Sequence, residues 1–365
     1  SAAASKEAAA RNAAKAAAEK AEAEAAAAAP PPPPIQTISP PIASRTIGRS
    51  GISVFPLGLG CASASGSYGP ADDEEGVRLI HKAIDIGVTF LDTSDKYGWG
   101  HNESLLARAL EGRRNSVVIA SKFGNTNGRG PRVADGRPEH VMAACEASLK
   151  RLKTDVIDLY YQHRIDPLVP IEDTVGAMAR LKEQGKIRAL GLCEVNPATL
   201  RRAYGVHPID AIQSEYSILY REQAEEILTT MRELTISFVP YAPLGRGLLT
   251  GAVPTQLAKD DERLRHPRFS PENLAKNLEL VGYLGAVADK HGCTRGQVAL
   301  AWLLAQGDDI IPIPGTKTIS RMVENTEAAH VALTAEDVAF LSNAFPPGVA
   351  AGFRYREEHM KNMYL

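Results

Sequence analysis

Residues 90–106, FLDTSDKYGWGHNESLL, end an apolar run abruptly in Asp92 and place Tyr97 five residues later in a glycine-bearing loop. Two further apolar runs end in other titratable groups: VVIASK in Lys122 and DLYYQH in His163. Taken singly, each has an ordinary reading. A strand-end aspartate caps a turn, a lysine reaches solvent, and a lone histidine is a satisfied structural group. A carboxylate, a phenol, an ammonium and an imidazole brought to one face by neighbouring strands are instead the parts of an acid–base site.

What must position them is a repeating strand-then-helix pattern. Candidate strands are FPLGLG, VTFL at 88, VVIA at 117, VIDLYY at 156, RALGL at 188, IDAIQ at 209, ISFVPYA at 236 and DIIPIP at 309. Helix-like segments such as EEGVRLIHKAIDIG, EHVMAACEASLKRL and EDTVGAMARLKEQG lie between them, and TIGRSGISVF before them reads as a short hairpin. Eight alternating units predict an α/β fold, a closed (β/α)8 TIM barrel with an N-terminal β-hairpin. An open doubly wound sheet would offer GxGxxG after the first strand. LGLGCASASG has only the first two of those glycines. Barrel sites lie at the C-terminal ends of the strands, where Asp92, Lys122, His163, Gln213 and Tyr241 fall.

The chain has 365 residues and a net charge of −2. Residues 1–29 are alanine-dominated and charge-balanced and predict a helical or disordered tail; residues 30–45 are a proline-rich linker, and the barrel occupies 46–365. The near-neutral balance argues against nucleic-acid binding. Four scattered cysteines without CxxC or a histidine cluster suggest neither zinc nor disulfides, hence a reducing compartment. No membrane span is read: the longest uncharged stretch, 25–44, is broken by prolines. A start at Ser1 with an alanine–proline tail fits a processed plastid stromal protein, while the remainder suits the cytoplasm.

GVTFLDTSDKYGWGHNESLL, VVIASKFG, DLYYQHRID, FVPYAPLGRGLLTG and IPIPGTKTISRMVENTEA, in this order, resemble the signature segments of the aldo-keto reductases. The resemblance spans residues 46 to about 340. YYQHRIDPLVPIE and CEASLKRL are most similar to the plant branch containing perakine reductase and the auxin-induced-protein-like reductases. The resemblance implies NADPH/NADP+, a small carbonyl substrate, no metal, and a catalytic tetrad of Asp92, Tyr97, Lys122 and His163. By the same matching, Tyr241 stacks on the nicotinamide and Gln213 bonds its carboxamide. Leu244, Gly245, Arg246 and Gly247 lie near the pyrophosphate. Gly315, Thr316, Lys317, Arg321, Glu324 and Asn325 grip the adenosine end.

Carbonyl reduction builds negative charge on oxygen, which a proton or hydrogen bond must meet. A lysine ~4 Å away contributes roughly 4 kcal/mol, enough to bring the Tyr97 phenol from about 10 toward neutrality. Asp92 would keep Lys122 charged, and neutral His163 could orient the carbonyl. Lys317 and Arg321 suit the 2′-phosphate of NADPH. One departure stands out: the family's Ser-Asn after the fifth strand is Cys193-Glu194 here. Glu194 can accept from the carboxamide, whereas Cys193 is a poor substitute. Trp99 and Arg164 flank the tetrad; they line a substrate pocket, or Trp99 packs on a loop and Arg164 pairs with Asp166. A second function is consistent with the sequence: an NADPH-binding regulatory or assembly subunit docked to a protein partner through residues 1–34.

Overall fold

The computed structural model describes residues 42–365 apart from Tyr68, residues 127–131, Ala258 and Asp260. The predicted tail, most of the linker and the partner surface assigned to residues 1–34 lie outside the described residues. From Ile42 to Leu365 the chain forms one unit. Strands β1 (Arg45–Thr46) and β2 (Ser53–Val54) pair antiparallel as the expected hairpin. Then β3 (Leu59–Gly60), β4 (Phe90–Asp92), β5 (Val118–Phe123), β6 (Ile157–Gln162), β7 (Ile187–Cys193), β8 (Ala211–Glu215) and β9 (Ser237–Tyr241) lie side by side, all parallel, in chain order. Helices α1 (Asp73–Asp85), α2 (His101–Ala109), α3 (Pro138–Leu152), α4 (Ile171–Glu183), α5 (Pro197–Val206) and α6 (Glu222–Leu234) connect them. After β9 come α7 (Pro271–His291), α8 (Arg295–Leu304), α9 (Ile319–Glu327) and α10 (Ala335–Ala344).

The predicted eighth strand is present as a connection, not as a regular strand. Ile311 and Ile313 N–H donate to Phe238 and Pro240 carbonyls at 2.8 and 3.1 Å, and the carbonyls of Pro312 and Pro314 accept from Gly58 and Gly60 at 2.9 and 3.2 Å. Prolines have no N–H to return. The ladder toward β3 is therefore half made, with a bridge at Gly60–Gly315, and the β9 side carries a bridge at Phe238–Ile310. The barrel closes through them.

Period-two alternation sorts the strand residues into two layers. Leu91, Ile119, Tyr160, Leu190, Ile212 and Phe238 face the helices, against Leu79, Leu106, Val141, Val175 and Met178. Phe90, Ala120, Leu159, Ala189, Ala211 and Val239 fill the barrel with Ile311 and Ile313, and Ile47, Ile52 and Val54 of the hairpin join the same cluster. The next inward positions are Asp92, Lys122, Gln213 and Tyr241, so the polar groups stand on an apolar floor. Helix starts are locally encoded: Asp72 caps α1 by accepting from Glu75 N–H, Asn196 caps α5 with Pro197 behind it, and Thr294 and Gln297 form a capping box on α8.

Gly191 on β7 makes room for the inward Tyr161. A Cβ there would lie 2.3 Å from the Tyr161 ring. Gly191→Ala should therefore destabilise the protein by about 1–3 kcal/mol, measured by denaturant unfolding, and adding Tyr161→Ala should relieve that clash; an unchanged melting curve in Gly191→Ala would contradict this packing.

Candidate active site

Lys122 stands one inward layer above Ala120, whose partner across the sheet is Asp92. Its ammonium, with no exposed surface, reaches Asp92 Oδ1 at 2.5 Å, the Thr93 carbonyl at 2.9 Å and the Tyr97 hydroxyl at 3.1 Å. Gln213 Nε2 donates to the other Asp92 oxygen at 2.8 Å. The Tyr97 and His163 rings meet edge to face with centroids 6.0 Å apart. All four residues expected of the tetrad thus come together, with Gln213 behind them.

Burial works against the Lys122 ammonium, but Asp92, Tyr97 and Cys193 together outweigh it and raise its pKa. Burial likewise raises Asp92, opposed by Lys122 and Gln213. Burial pushes the Tyr97 phenol up to about 12, with Lys122 pulling the other way. The expectation that Lys122 draws the phenol toward neutrality is therefore corrected: desolvation is the larger effect. His163 is pushed well below its ordinary value by burial, then by Arg164, Lys122 and Lys96; it is neutral.

The loop that carries Tyr97 is fixed by residues that the sequence reading passed over. Asn102 accepts from the Thr93 hydroxyl at 2.6 Å and donates to the Cys61 carbonyl and the Ser65 hydroxyl, both at 2.8 Å. Glu103, fully buried, accepts from Ser121 and Arg151, both at 2.6 Å. Ser94 Oγ lies 3.1 Å from His163 Nδ1. Polar residues at buried helix positions in HNES were the available signal. Trp99 sits between Gly98 and Gly100 with a left-handed backbone, φ 52°, and stays 44% exposed. Such a conformation costs a bulky residue on the order of 1–3 kcal/mol.

Glu194 does not offer itself to a carboxamide. Its carboxylate is gripped bidentately by Arg354, Nη1 to Oε1 at 2.6 Å and Nη2 to Oε2 at 2.8 Å, and accepts from the Tyr241 hydroxyl at 2.6 Å. Beside it Glu215, which extends β8 beyond Gln213, lies 3.2 Å from Arg268 and 3.5 Å from Arg246. Burial opposes both carboxylates, but Arg354 holds Glu194, and Arg246, Arg268 and Arg354 hold Glu215, below the ordinary glutamate value. Arg354 belongs to the C-terminal segment, so this cluster ties that segment across the barrel mouth. No local pattern pairs residues 160 positions apart.

The other expected cofactor residues are distributed over the same face. Tyr241 ends β9. In the loop after it, Gly245, Arg246 and Gly247 all have positive φ, and the Arg246 side chain turns inward to Glu215 and the Tyr355 ring. What Leu244–Gly247 can present to an anion is thus main chain. Gly315 bridges to Gly60. Thr316 accepts from Thr318 N–H at 3.1 Å, and Lys317 donates to the Pro70 carbonyl at 3.0 Å. Arg321 is exposed on α9, Asn325 is buried, and Glu324 is held by the Thr294 hydroxyl at 2.7 Å. Arg164 donates to the His163 carbonyl at 2.7 Å; Asp166 instead accepts from Arg132 at 2.9 Å. The Arg164–Asp166 pairing considered from sequence is not formed.

Breaking the Glu194–Arg354 pair should cost about 3–5 kcal/mol. In urea unfolding, Glu194→Gln and Arg354→Met should each lower the midpoint, and Glu194→Leu combined with Arg354→Met should recover part of the loss. Because the folded-state pKa of Glu194 is depressed, its contribution is complete above the ordinary value of 4.5 and is lost as pH falls through the folded value. Wild type should therefore lose stability on acidification more steeply than Glu194→Gln.

The aldo/keto reductase family model matches residues 56–344. A probable aldo-keto reductase 1 of Glycine max is 44% identical over 313 residues, which is 85% of this chain and 90% of that protein. Among solved structures, the glycerol dehydrogenase AKR11B4 from Gluconobacter oxydans superposes with a TM-score of 0.76 at 30% identity, covering 84% of this chain and 96% of that one. The aldo-keto reductase AKR11C1 from Bacillus halodurans, in its holo form, gives 0.70 at 27% identity, covering 87% and 99%. Among the described residues, no helix is long and apolar enough to cross a membrane and no side-chain cluster could hold a metal. With the Asp92–Lys122–Tyr97 chain and neutral His163 at the mouth of a parallel barrel, the protein belongs to the aldo/keto reductase family and is an NAD(P)-dependent oxidoreductase.

Proposed function

We propose that the chain reduces an aldehyde or ketone to the alcohol with NADPH, and that Tyr97 is the general acid. The observation that carries this is one buried ammonium, Lys122, bonded at once to Asp92 and to the Tyr97 hydroxyl. When bound, the nicotinamide supplies the hydride. Tyr97 gives its proton to the carbonyl oxygen as negative charge develops there, and Lys122 stabilises the phenolate left behind. Asp92 keeps Lys122 charged throughout. In the tautomer whose Nδ1 accepts from the Ser94 hydroxyl, 3.1 Å away, His163 would orient the same carbonyl oxygen through its Nε2 proton.

The residues fit such a cofactor. Among the described residues the buried Ser63 hydroxyl has no partner, and a Cβ at Gly315 would lie 3.6 Å from it. Thr318 begins α9 with no side-chain cap, which leaves N–H groups for a phosphate. Lys317 and Arg321 would hold the 2′-phosphate, which supports NADPH over NADH. Gln213 and the Tyr241 ring would hold the nicotinamide; Glu194 and Cys193 would not take the role of the family's Ser-Asn. The YYQHRIDPLVPIE and CEASLKRL segments support a place in the plant branch containing perakine reductase. Four free cysteines support a reducing compartment, cytosol or plastid stroma.

NADPH oxidation with a panel of aldehydes tests the reading. Tyr97→Phe should lower kcat by about 100-fold or more; near-zero rates in wild type, indistinguishable from the variant, would sink it. Because Tyr97 is held at about 12, the acid is present throughout the neutral range. Reductive kcat should then stay level between about pH 6 and about pH 9, and a fall centred near neutrality would argue against this assignment. Arg321→Ala should raise the KM for NADPH by about tenfold while changing that for NADH far less.

A further inference from the structure

Two cations flank the reacting groups and have no use in the chemistry above. Lys96 directly precedes Tyr97, and Arg164 directly follows His163. Each is therefore one residue from a side chain that faces the carbonyl oxygen, and the Tyr97 and His163 rings are themselves in edge-to-face contact. Both cations are partly buried.

Among the described residues, neither has a carboxylate within ion-pair distance. Asp92 is committed to Lys122, Asp166 to Arg132, Glu194 to Arg354, and Glu215 to Arg246 and Arg268. Asp95, next in the chain, has Ser94 Oγ at 3.3 Å and the Lys96 main-chain N–H as partners and forms no ion pair with the Lys96 ammonium. The Arg164 guanidinium is anchored through Nη1 on the His163 carbonyl at 2.7 Å, which fixes it at the mouth and leaves its other N–H groups to donate. The two cations also feel each other. Burial lowers Lys96 to about 8, with Arg164 the next contribution and Lys122 adding to it against Asp95. Burial opposes the Arg164 guanidinium too, but Tyr241, Tyr355 and Glu194 together hold it above its ordinary value, so Arg164 stays charged and Lys96 bears the cost of the crowding until something negative joins them.

We infer that the substrate carries an anionic group, a carboxylate or a phosphate, which Lys96 and Arg164 grip beside the reacting carbonyl. This rests on the reductase reading. A guanidinium fork beside an ammonium suits either anion, the first by paired hydrogen bonds and the second as a point charge. The cofactor's own phosphates do not account for the pair. The loops proposed to bind them follow β9 and precede α9, whereas Lys96 and Arg164 rise from β4 and β6.

The test uses the full chain with NADPH and three matched aldehydes: para-carboxybenzaldehyde, its methyl ester, and para-formylphenyl phosphate. The carboxylate or the phosphate should exceed the neutral ester in kcat/KM by about tenfold or more, chiefly through KM. Which of the two does so identifies the anion. The preference should fall toward unity in Lys96→Met and Arg164→Met and persist in Lys96→Arg and Arg164→Lys. Equal or lower kcat/KM for both anions in wild type overturns the inference. If no aldehyde turns over, the reductase reading has failed and calorimetric binding decides. Tighter binding of para-carboxybenzaldehyde or para-formylphenyl phosphate than of the ester, lost in Arg164→Met, retains the anion site, and its absence removes it.

Discussion

An ammonium group without access to water governs this structure. Lys122 has three N–H donors, and the protein meets them with the Asp92 carboxylate, the Thr93 carbonyl and the Tyr97 hydroxyl. Removing an ion from water costs several kcal/mol, which a single good partner rarely offsets alone. The arrangement therefore has to be complete, and completing it fixes much else. Asp92 must stay level with Ala120 across the sheet, Gln213 must reach the second Asp92 oxygen, and the loop after β4 must return Tyr97 to the barrel axis. Asn102 and Glu103, buried at the start of α2, hold that loop down. Its three successive left-handed residues, Gly98 to Gly100, make the return possible.

The same demand shapes the mouth of the barrel. Cys193-Glu194 looked like a flaw in the cofactor site. In the fold, Glu194 is the acceptor for an arginine from the C-terminal segment, and the chain end reinforces the contact, with Leu365 N–H donating to the Glu194 carbonyl at 3.3 Å. Two carboxylates and three arginines interlock there with one positive charge in excess, and Tyr241 takes its orientation from Glu194, Arg354 and Tyr355. The departure from the family pattern is a different division of labour, in which position 194 secures the wall of the site. Lys96 and Arg164, in the loops after β4 and β6, by contrast have no carboxylate within ion-pair distance among the described residues.

Strands and helices were largely legible because their signals are local. Alternating apolar residues marked the strands, caps and helical periodicity marked the helices, and strand-end polar residues marked the catalytic face. The limits appeared where a local rule met a distant one. DIIPIP has the composition of a strand, yet its prolines leave half of one ladder unmade. Lys122 near Tyr97 argues for an acidic phenol, yet desolvation of the same phenol raises it to about 12. Desolvation depends on everything packed around a group, and no window of sequence contains that.

By itself the sequence determined the order of elements, the inward face of each strand and the four groups that meet on it. The order and the faces follow from periodicities of two and 3.6 residues, Asp92, Lys122 and His163 from the residues that end the apolar runs, and Tyr97 from the family resemblance of its loop. Only the tertiary structure decided how charge is shared among them: that Asp166 takes Arg132, that Glu194 takes Arg354, and that Lys96 and Arg164 have no carboxylate within ion-pair distance among the described residues. Ion pairing inside a protein depends on distances of a few ångströms between residues far apart in the chain, and those distances exist only once the barrel has closed.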